Sequence, residues 1–116
     1  MTTYTGGCHC GNVAFEVETE LGPVMECNCS HCSKKGGLMT FVPDANFTLL
    51  RGEDAQTEYR FNKKAIQHLF CSTCGVQSFA RGKGRDGAAM VAINVRCLDG
   101  VEPSSLTIQQ VDGRSL

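Results

Sequence analysis

Along Asn12-Val13-Ala14-Phe15-Glu16-Val17-Glu18 the bulky apolar residues Val13, Phe15 and Val17 recur at every second position, the pattern of a strand buried on one face. Leu21-Gly22-Pro23 interrupts it, and Val24-Met25-Glu26 opens a second short extended run. Met39 to Val42 forms a third, closed by Pro43-Asp44-Ala45-Asn46, and Phe47 to Leu50 a fourth that stops at Arg51-Gly52. Thr57 to Phe61 alternates again, with Tyr59 and Phe61 on one face. Ile66 to Phe70 and Val76 to Ala80 predict strands on either side of a cysteine pair. Ala88 to Val95 is apolar on both faces and reads as the central strand, and Leu106 to Val111 ends the series at Asp112-Gly113. No window holds the helical period of about 3.6 residues, so helices are expected only as single turns. Many short strands punctuated by turn residues predict an all-β fold, a sandwich or open barrel of twisted sheets, forming a single domain over residues 1–116.

Composition adds one fact that the pattern does not contain. The chain has 116 residues and 8 cysteines, and a core this small leaves stability thin. The N-terminus, Met1-Thr2-Thr3-Tyr4-Thr5-Gly6, carries no basic region and no apolar stretch, so a secretory signal is not expected and a cytoplasmic location is. In a reducing compartment disulfides are a poor reading of the cysteines, and metal binding or thiol chemistry takes their place. No apolar run approaches the ~18 residues of a membrane span. The formal charge is −1 and the sequence pI is near 6.3, which gives no basic footprint for nucleic acid. The basic clusters Lys34-Lys35, Lys63-Lys64 and Arg81 to Arg85 read as solvated surface. Arg81-Gly82-Lys83-Gly84-Arg85-Asp86-Gly87 lacks the Gly-Lys-Ser/Thr ending of a phosphate loop and reads as a hairpin.

Seven of the cysteines fall into three clusters: Cys8-His9-Cys10-Gly11, Cys27-Asn28-Cys29-Ser30-His31-Cys32 and Cys71-Ser72-Thr73-Cys74-Gly75. Such spacing lets one turn aim two sulfurs at one ion. A glycine after the second cysteine permits the positive φ that the turn often needs. Combining the two glycine-flanked pairs, Cys8/Cys10 with Cys71/Cys74, gives the four thiolates of a closed tetrahedral zinc site. A redox dithiol or a disulfide is the alternative, but no helix pattern follows Cys74 as a thioredoxin-type motif requires. Cys27, Cys29 and Cys32 then supply three ligands and leave one position open, the arrangement of a catalytic zinc. The competing reading is a second closed site completed by His31, His68 or Cys97. His9 is expected to point away from the metal, and His31 to act as a proton relay or face solvent. His68 is expected to be a packed strand residue, and Cys97 a buried bystander.

At these residues the sequence resembles the glutathione-dependent formaldehyde-activating (GFA) family, which includes the centromere protein V group. Gly6 to Val13, Cys27 to Cys32 and Phe70 to Gly75 carry the resemblance, with Thr57 to Lys64 and Ala92 to Asp99 beside them. The resemblance implies a twisted β-fold similar to a Rab exchange factor's zinc domain. It also implies two zinc ions, a structural one on Cys8, Cys10, Cys71 and Cys74 and a more labile catalytic one on Cys27, Cys29 and Cys32. The implied activity is that of a carbon–sulfur lyase, joining a glutathione-like thiol to a formaldehyde-like aldehyde.

The chemistry follows independently. A zinc bound by three thiolates suits a soft fourth ligand such as a substrate thiolate, and coordination keeps that thiol deprotonated. His31 is placed to protonate the alkoxide formed when sulfur adds to a carbonyl carbon. Carboxylates on a glutathione-like thiol call for a basic side chain, and Arg81, Lys34 and Arg60 are candidates. Ionising seven thiols and adding two Zn²⁺ would move the formal charge from −1 to −4. A non-catalytic zinc module that binds a protein, and a thiol-based metal or redox sensor, are the competing functions. Ile66, Leu69 and Phe70 are apolar enough to pack a core or to meet a second subunit of a homo-oligomer.

Overall fold

The computed structural model describes residues 1–61, 66–84 and 86–115, so Lys63, Lys64 and Arg85 of the basic clusters lie outside the described residues. Ten strands run in the order β1 Thr2–Gly7, β2 Ala14–Thr19, β3 Val24–Cys27, β4 Met39–Pro43, β5 Phe47–Arg51, β6 Gln56–Tyr59, β7 Gln67–Cys71, β8 Phe79–Lys83, β9 Ala89–Asn94 and β10 Ile108–Val111. The one α-helix among the described residues, α1, is a single turn over Cys32–Lys35. The all-β expectation therefore holds, and the strands form two sheets rather than a closed barrel. One sheet has the order β1-β2-β5 and the other β10-β3-β4-β9-β8-β7-β6.

The period-two pattern explains how the sheets meet. Val13, Phe15 and Val17 are fully buried and face Phe79, Val91 and Ile93 of the larger sheet. Phe47 joins them, with ring centroids 5.4 Å from Phe15 and 4.7 Å from Phe79. Burying aromatic rings of this size contributes much of what a small core has to offer. β9 is the fourth of seven strands, flanked by β4 and β8, in keeping with an apolar run on both faces. Its Val91 and Ile93 enter the core while Met90 and Ala92 lie on the opposite face, half-buried.

Two strands differ from the pattern. β1 pairs antiparallel along the whole of β2 although Thr2–Gly7 shows no bulky alternation; Gly6 is its one buried residue. β8 starts at Phe79 rather than Val76, because residues 76–78 serve other partners: Val76 carbonyl accepts from Cys71 N at 3.0 Å and Ser78 carbonyl from Asn94 N at 3.0 Å. The glycine-rich segment is a hairpin between β8 and β9, closed by Gly84 N donating to Ala88 O at 2.9 Å.

Candidate active site

The two glycine-flanked cysteine pairs meet. Cys8 and Cys10 leave the end of β1, Cys71 ends β7 and Cys74 lies in the turn after it. The four sulfurs all lie within 4.8 Å of one another and could hold a metal ion. Cys8 and Cys10 Sγ are 3.7 Å apart, and Cys10 and Cys71 Sγ 3.6 Å. Gly11 and Gly75 adopt φ of 86° and 81°, the left-handed turn that a Cβ would strain. Backbone amides aim at the sulfurs: Val13 N at Cys8 Sγ, 3.3 Å, and Thr73 N and Cys74 N at Cys71 Sγ, 3.4 and 3.5 Å. Amide donors favour the thiolate. Those of Val76 and Cys10 bring the Cys74 thiol down to about 6, and those of Cys74 and Thr73 lower Cys71. His9 is exposed between its cysteines.

Cys27, Cys29 and Cys32 form the second set, again within 4.8 Å of one another and able to hold a metal ion. Cys27 ends β3, Cys29 lies in the following turn and Cys32 begins α1. Burial opposes ionisation of Cys29, but hydrogen bonds from the Cys32 amide, the Cys32 and Cys27 thiols and the His31 amide outweigh it and hold the thiol below its ordinary value. Burial, followed by the neighbouring Cys29 and Cys27, pushes Cys32 up to about 12. One thiol of the set is thus primed for ionisation, and a cation is needed for all three. Among the described residues His31, His68 and Cys97 are not part of this set.

His68 is a half-buried residue of β7, and what it packs against is the cavity's other rings: it stands 4.3 Å from the ring of His31, centroid to centroid. Phe61 packs on both, at 5.1 Å from His31 and 5.0 Å from His68, and Tyr59 stacks on Phe61 at 5.8 Å. The period-two reading put Tyr59 and Phe61 on one face, and this is the face. Burial first, then the charges of His31 and Lys35, brings His68 down to about 4; burial and Lys35 lower His31 as well. Both rings are therefore neutral near pH 7. Gln77 Nε2 approaches His68 Nδ1 at 3.5 Å. The Gln77 carbonyl accepts from Asn94 Nδ2 at 3.0 Å and Cys97 Sγ at 3.8 Å, which gives Cys97 a place in the support of His68.

Cys27, Cys29, Cys32 and both histidines line one cavity of about 620 Å³ on the outer face of the larger sheet. The basic candidates fare unevenly. The Arg81 guanidinium is 3.0 Å from Asp44 and lies over the Phe47 and Phe79 rings at 5.2 and 5.3 Å. Arg81 also lines the cavity, but its guanidinium is engaged on the core side, where strand alternation turns it away from Ala80 and Gly82. Arg60 pairs with Glu58 at 2.8 Å, and Lys34 is exposed and outside the lining. Lys35, one residue on, lines the cavity and sits 5.3 Å above the Phe70 ring; the first helical turn points successive residues in different directions, which spacing alone could have told apart.

The model of one protein family matches residues 3–110, and its description is glutathione-dependent formaldehyde-activating enzyme. The chain belongs to the GFA family. Its fold is also similar to that of a Rhodobacter sphaeroides protein known from a crystal structure, with a TM-score of 0.79 and 29% identity over 90% of this chain and 99% of that one. Both cysteine sets and both histidines fall inside the GFA match. The turn Gly113–Ser115 lies beyond it, yet reaches the second cysteine set. Asn28 Nδ2 donates to Asp112 at 2.8 Å, Arg114 N donates to Asn28 Oδ1 at 2.9 Å, and a Cβ on Gly113 would stand 2.4 Å from Cys27 Sγ. The sequence reading took Asp112-Gly113 only as the end of a strand. Among the described residues no helix is long and apolar enough to cross a membrane.

Proposed function

We propose that this GFA protein is a zinc-dependent carbon–sulfur lyase that joins a glutathione-like thiol to an aldehyde, with zinc held at both cysteine sets. The reading rests chiefly on one observation: three sulfurs, with no fourth ligand among the described residues, line a cavity beside two neutral imidazoles. Tetrahedral coordination at a zinc–sulfur length of about 2.3 Å separates sulfurs by about 3.8 Å, and the 3.7 and 3.6 Å separations in the four-cysteine set fit it. That set is assigned the structural ion, and Cys27, Cys29 and Cys32 the catalytic one. All eight thiols are unpaired, as thiolate ligation in a reducing compartment requires.

When bound at the three-cysteine set, zinc favours a soft ligand and keeps a substrate thiol deprotonated near neutral pH. The chain's own residues do the rest. The neutral His31 ring accepts the thiol proton, with the His68 ring tilted beside it at 4.3 Å between centroids. Sulfur adds to the carbonyl carbon, so the carbon–sulfur bond forms as the carbonyl π bond opens. His31 returns that proton to the alkoxide oxygen, and no oxidant or reductant is needed. Phe61 and Tyr59 shield the imidazoles from water, which keeps them neutral, and Lys35 offers a cation to a substrate carboxylate. The reverse sequence cleaves the adduct.

Metal analysis of the wild type and Cys29→Ala, alongside thiol–aldehyde turnover, tests this. The expected result is one zinc lost together with all turnover in a chain that stays folded. Turnover persisting in Cys29→Ala would contradict the assignment. A variant that unfolds would make the second zinc structural.

A further inference from the structure

The larger sheet has two apolar faces, and only one of them is covered by the three-stranded sheet. On an antiparallel sheet the face away from the core is ordinarily polar. Here the ladder brings apolar residues together: Met25 is paired with Met39, Phe41 with Ala92, and Ala92 with Ala80. Met90, paired with Pro43 and Gly82, extends the patch. Phe41 is 49% exposed and Ile66 48% exposed, and both line the cavity with Met25, Met39, Met90 and Phe61. Such a patch on a protein surface marks a binding site. The patch is not flat: α1, Phe61 and Ile66 wall a cavity of about 620 Å³ that ends at the cysteines and histidines. Three cations also line it: Lys35 and Lys83 are exposed, and Arg81 is held by Asp44.

Formaldehyde has two heavy atoms, no more than about one or two waters' worth of volume. Glutathione would carry carboxylates, an amine and amides along an apolar floor that offers them few partners. Neither accounts for the three methionines, whose unbranched, polarisable side chains adapt to apolar shapes of different sizes. We infer that the aldehyde this site takes carries an apolar chain or ring of about six carbons, seated on Met25, Met39, Phe41 and Met90, with its carbonyl carbon at the cysteine end. This inference rests on the thiol–aldehyde reading above and names its substrate class. The bond changes are those already given: sulfur adds to the carbonyl carbon and the thiol proton ends on the new hydroxyl.

Half-burial of five additional methylenes corresponds to about a 30-fold gain in affinity. The zinc-loaded protein is titrated with S-methylglutathione and S-hexylglutathione by calorimetry. Turnover of glutathione with formaldehyde and with heptanal is measured in parallel, each divided by its uncatalysed addition rate. The expected result is S-hexylglutathione binding about 30-fold tighter and heptanal favoured by a similar factor. Met90→Lys should lower both ratios at least fivefold, as should Phe41→Ser, whose half-exposed position keeps the core intact. Equal affinity for the two thioethers, or turnover of formaldehyde alone, would overturn the inference while leaving the thiol–aldehyde reading standing. Tight S-hexylglutathione binding without turnover of either aldehyde would support the apolar site and overturn that reading instead. A dimer by light scattering that Met90→Lys dissociates, with no thioether preference, would assign the face to a second copy and also overturn the inference.

Discussion

Gly113→Ala puts one methyl group against the three-cysteine set. The new Cβ would lie 2.4 Å from Cys27 Sγ and 3.4 Å from Cys29 Cβ, where ordinary contact begins at 3.4 Å. Sulfur and turn must therefore separate by about 1 Å, several times the ±0.2 Å that a zinc–sulfur bond tolerates. The turn does not give freely. Asn28–Asp112 at 2.8 Å and Arg114–Asn28 at 2.9 Å pin it to the loop carrying the cysteines, and Ser115–Asp112 at 2.7 Å stiffens the turn itself. β10 also runs in register with β3 up to Val111 opposite Cys27. Breaking two such bonds costs about 1–3 kcal/mol, and moving the sulfur instead distorts the ligand set by a comparable amount. Either route lowers zinc affinity at this set by about 10- to 100-fold. Competition with a chromophoric chelator resolves the two equivalents, and a thermal melt follows the fold. One equivalent should weaken by that factor while the other, and the melting midpoint, stay close to wild type. Wild-type affinity for both equivalents would refute the claim that Gly113 seats against Cys27.

Three further perturbations bear on the cysteines and the imidazoles. Cys71→Ser removes a buried ligand of the four-cysteine set. Structural zinc contributes about 10–16 kcal/mol in small domains, against a typical total stability of about 5–15 kcal/mol. Loss of cooperative unfolding by circular dichroism is expected, and a melt like that of wild type would count against a structural ion. Isoelectric focusing under native conditions should place the zinc-loaded chain, at formal charge −4 rather than −1, clearly on the acidic side of the stripped chain; coincident bands would exclude two thiolate-bound zincs. His68, lowered to about 4 by burial and by the charges of His31 and Lys35, binds fewer protons folded than unfolded between that value and about 6.5. Its contribution to stability is therefore complete above about pH 6.5 and lost as pH falls toward 4. Solvent at this half-buried ring reduces the effect to roughly 1 kcal/mol. His68→Gln should flatten that part of the stability profile, and an NMR titration of His68 with a midpoint near 6.5 would contradict the depressed value.

The features legible in the sequence are those whose cause is local. Period two exposed β2, an unbroken apolar run exposed β9, and cysteine spacing with a following glycine exposed both halves of the four-cysteine set, although Cys10 and Cys71 lie far apart in the chain. β1 was not visible because its residues are held by main-chain pairing with β2 rather than by burying side chains. The parallel pairing of β10 with β3 depends on a long return of the chain that leaves no local mark. Where Arg81 and His68 face was not legible for one reason: a strand puts neighbours on opposite faces, and which face becomes core is decided by the partner sheet. Once β1, β2 and β5 cover the Phe79 side, Arg81 lies over aromatic rings of the core and His68 stands beside the cysteines.

The topology also argues for the division of labour between the two cysteine sets. Cys8 and Cys10 extend from β1 of the small sheet, whereas Cys71 and Cys74 extend from β7 of the large one. An ion there would tie the two layers together at an edge of the core, where Cys8 and Cys74 already pack against buried side chains. Losing it would release one sheet from the other. Cys27, Cys29 and Cys32 all belong to a single loop leading from β3 into α1, so an ion there joins no separate elements of the core. Such a set can exchange its metal or accept a new ligand without threatening the fold. Local unfolding free energy is lowest where few buried contacts are at stake, and catalysis through an open coordination position needs that freedom. Under the proposed function the four-cysteine set would keep its ion closed in, and the three-cysteine set would leave one free to be used.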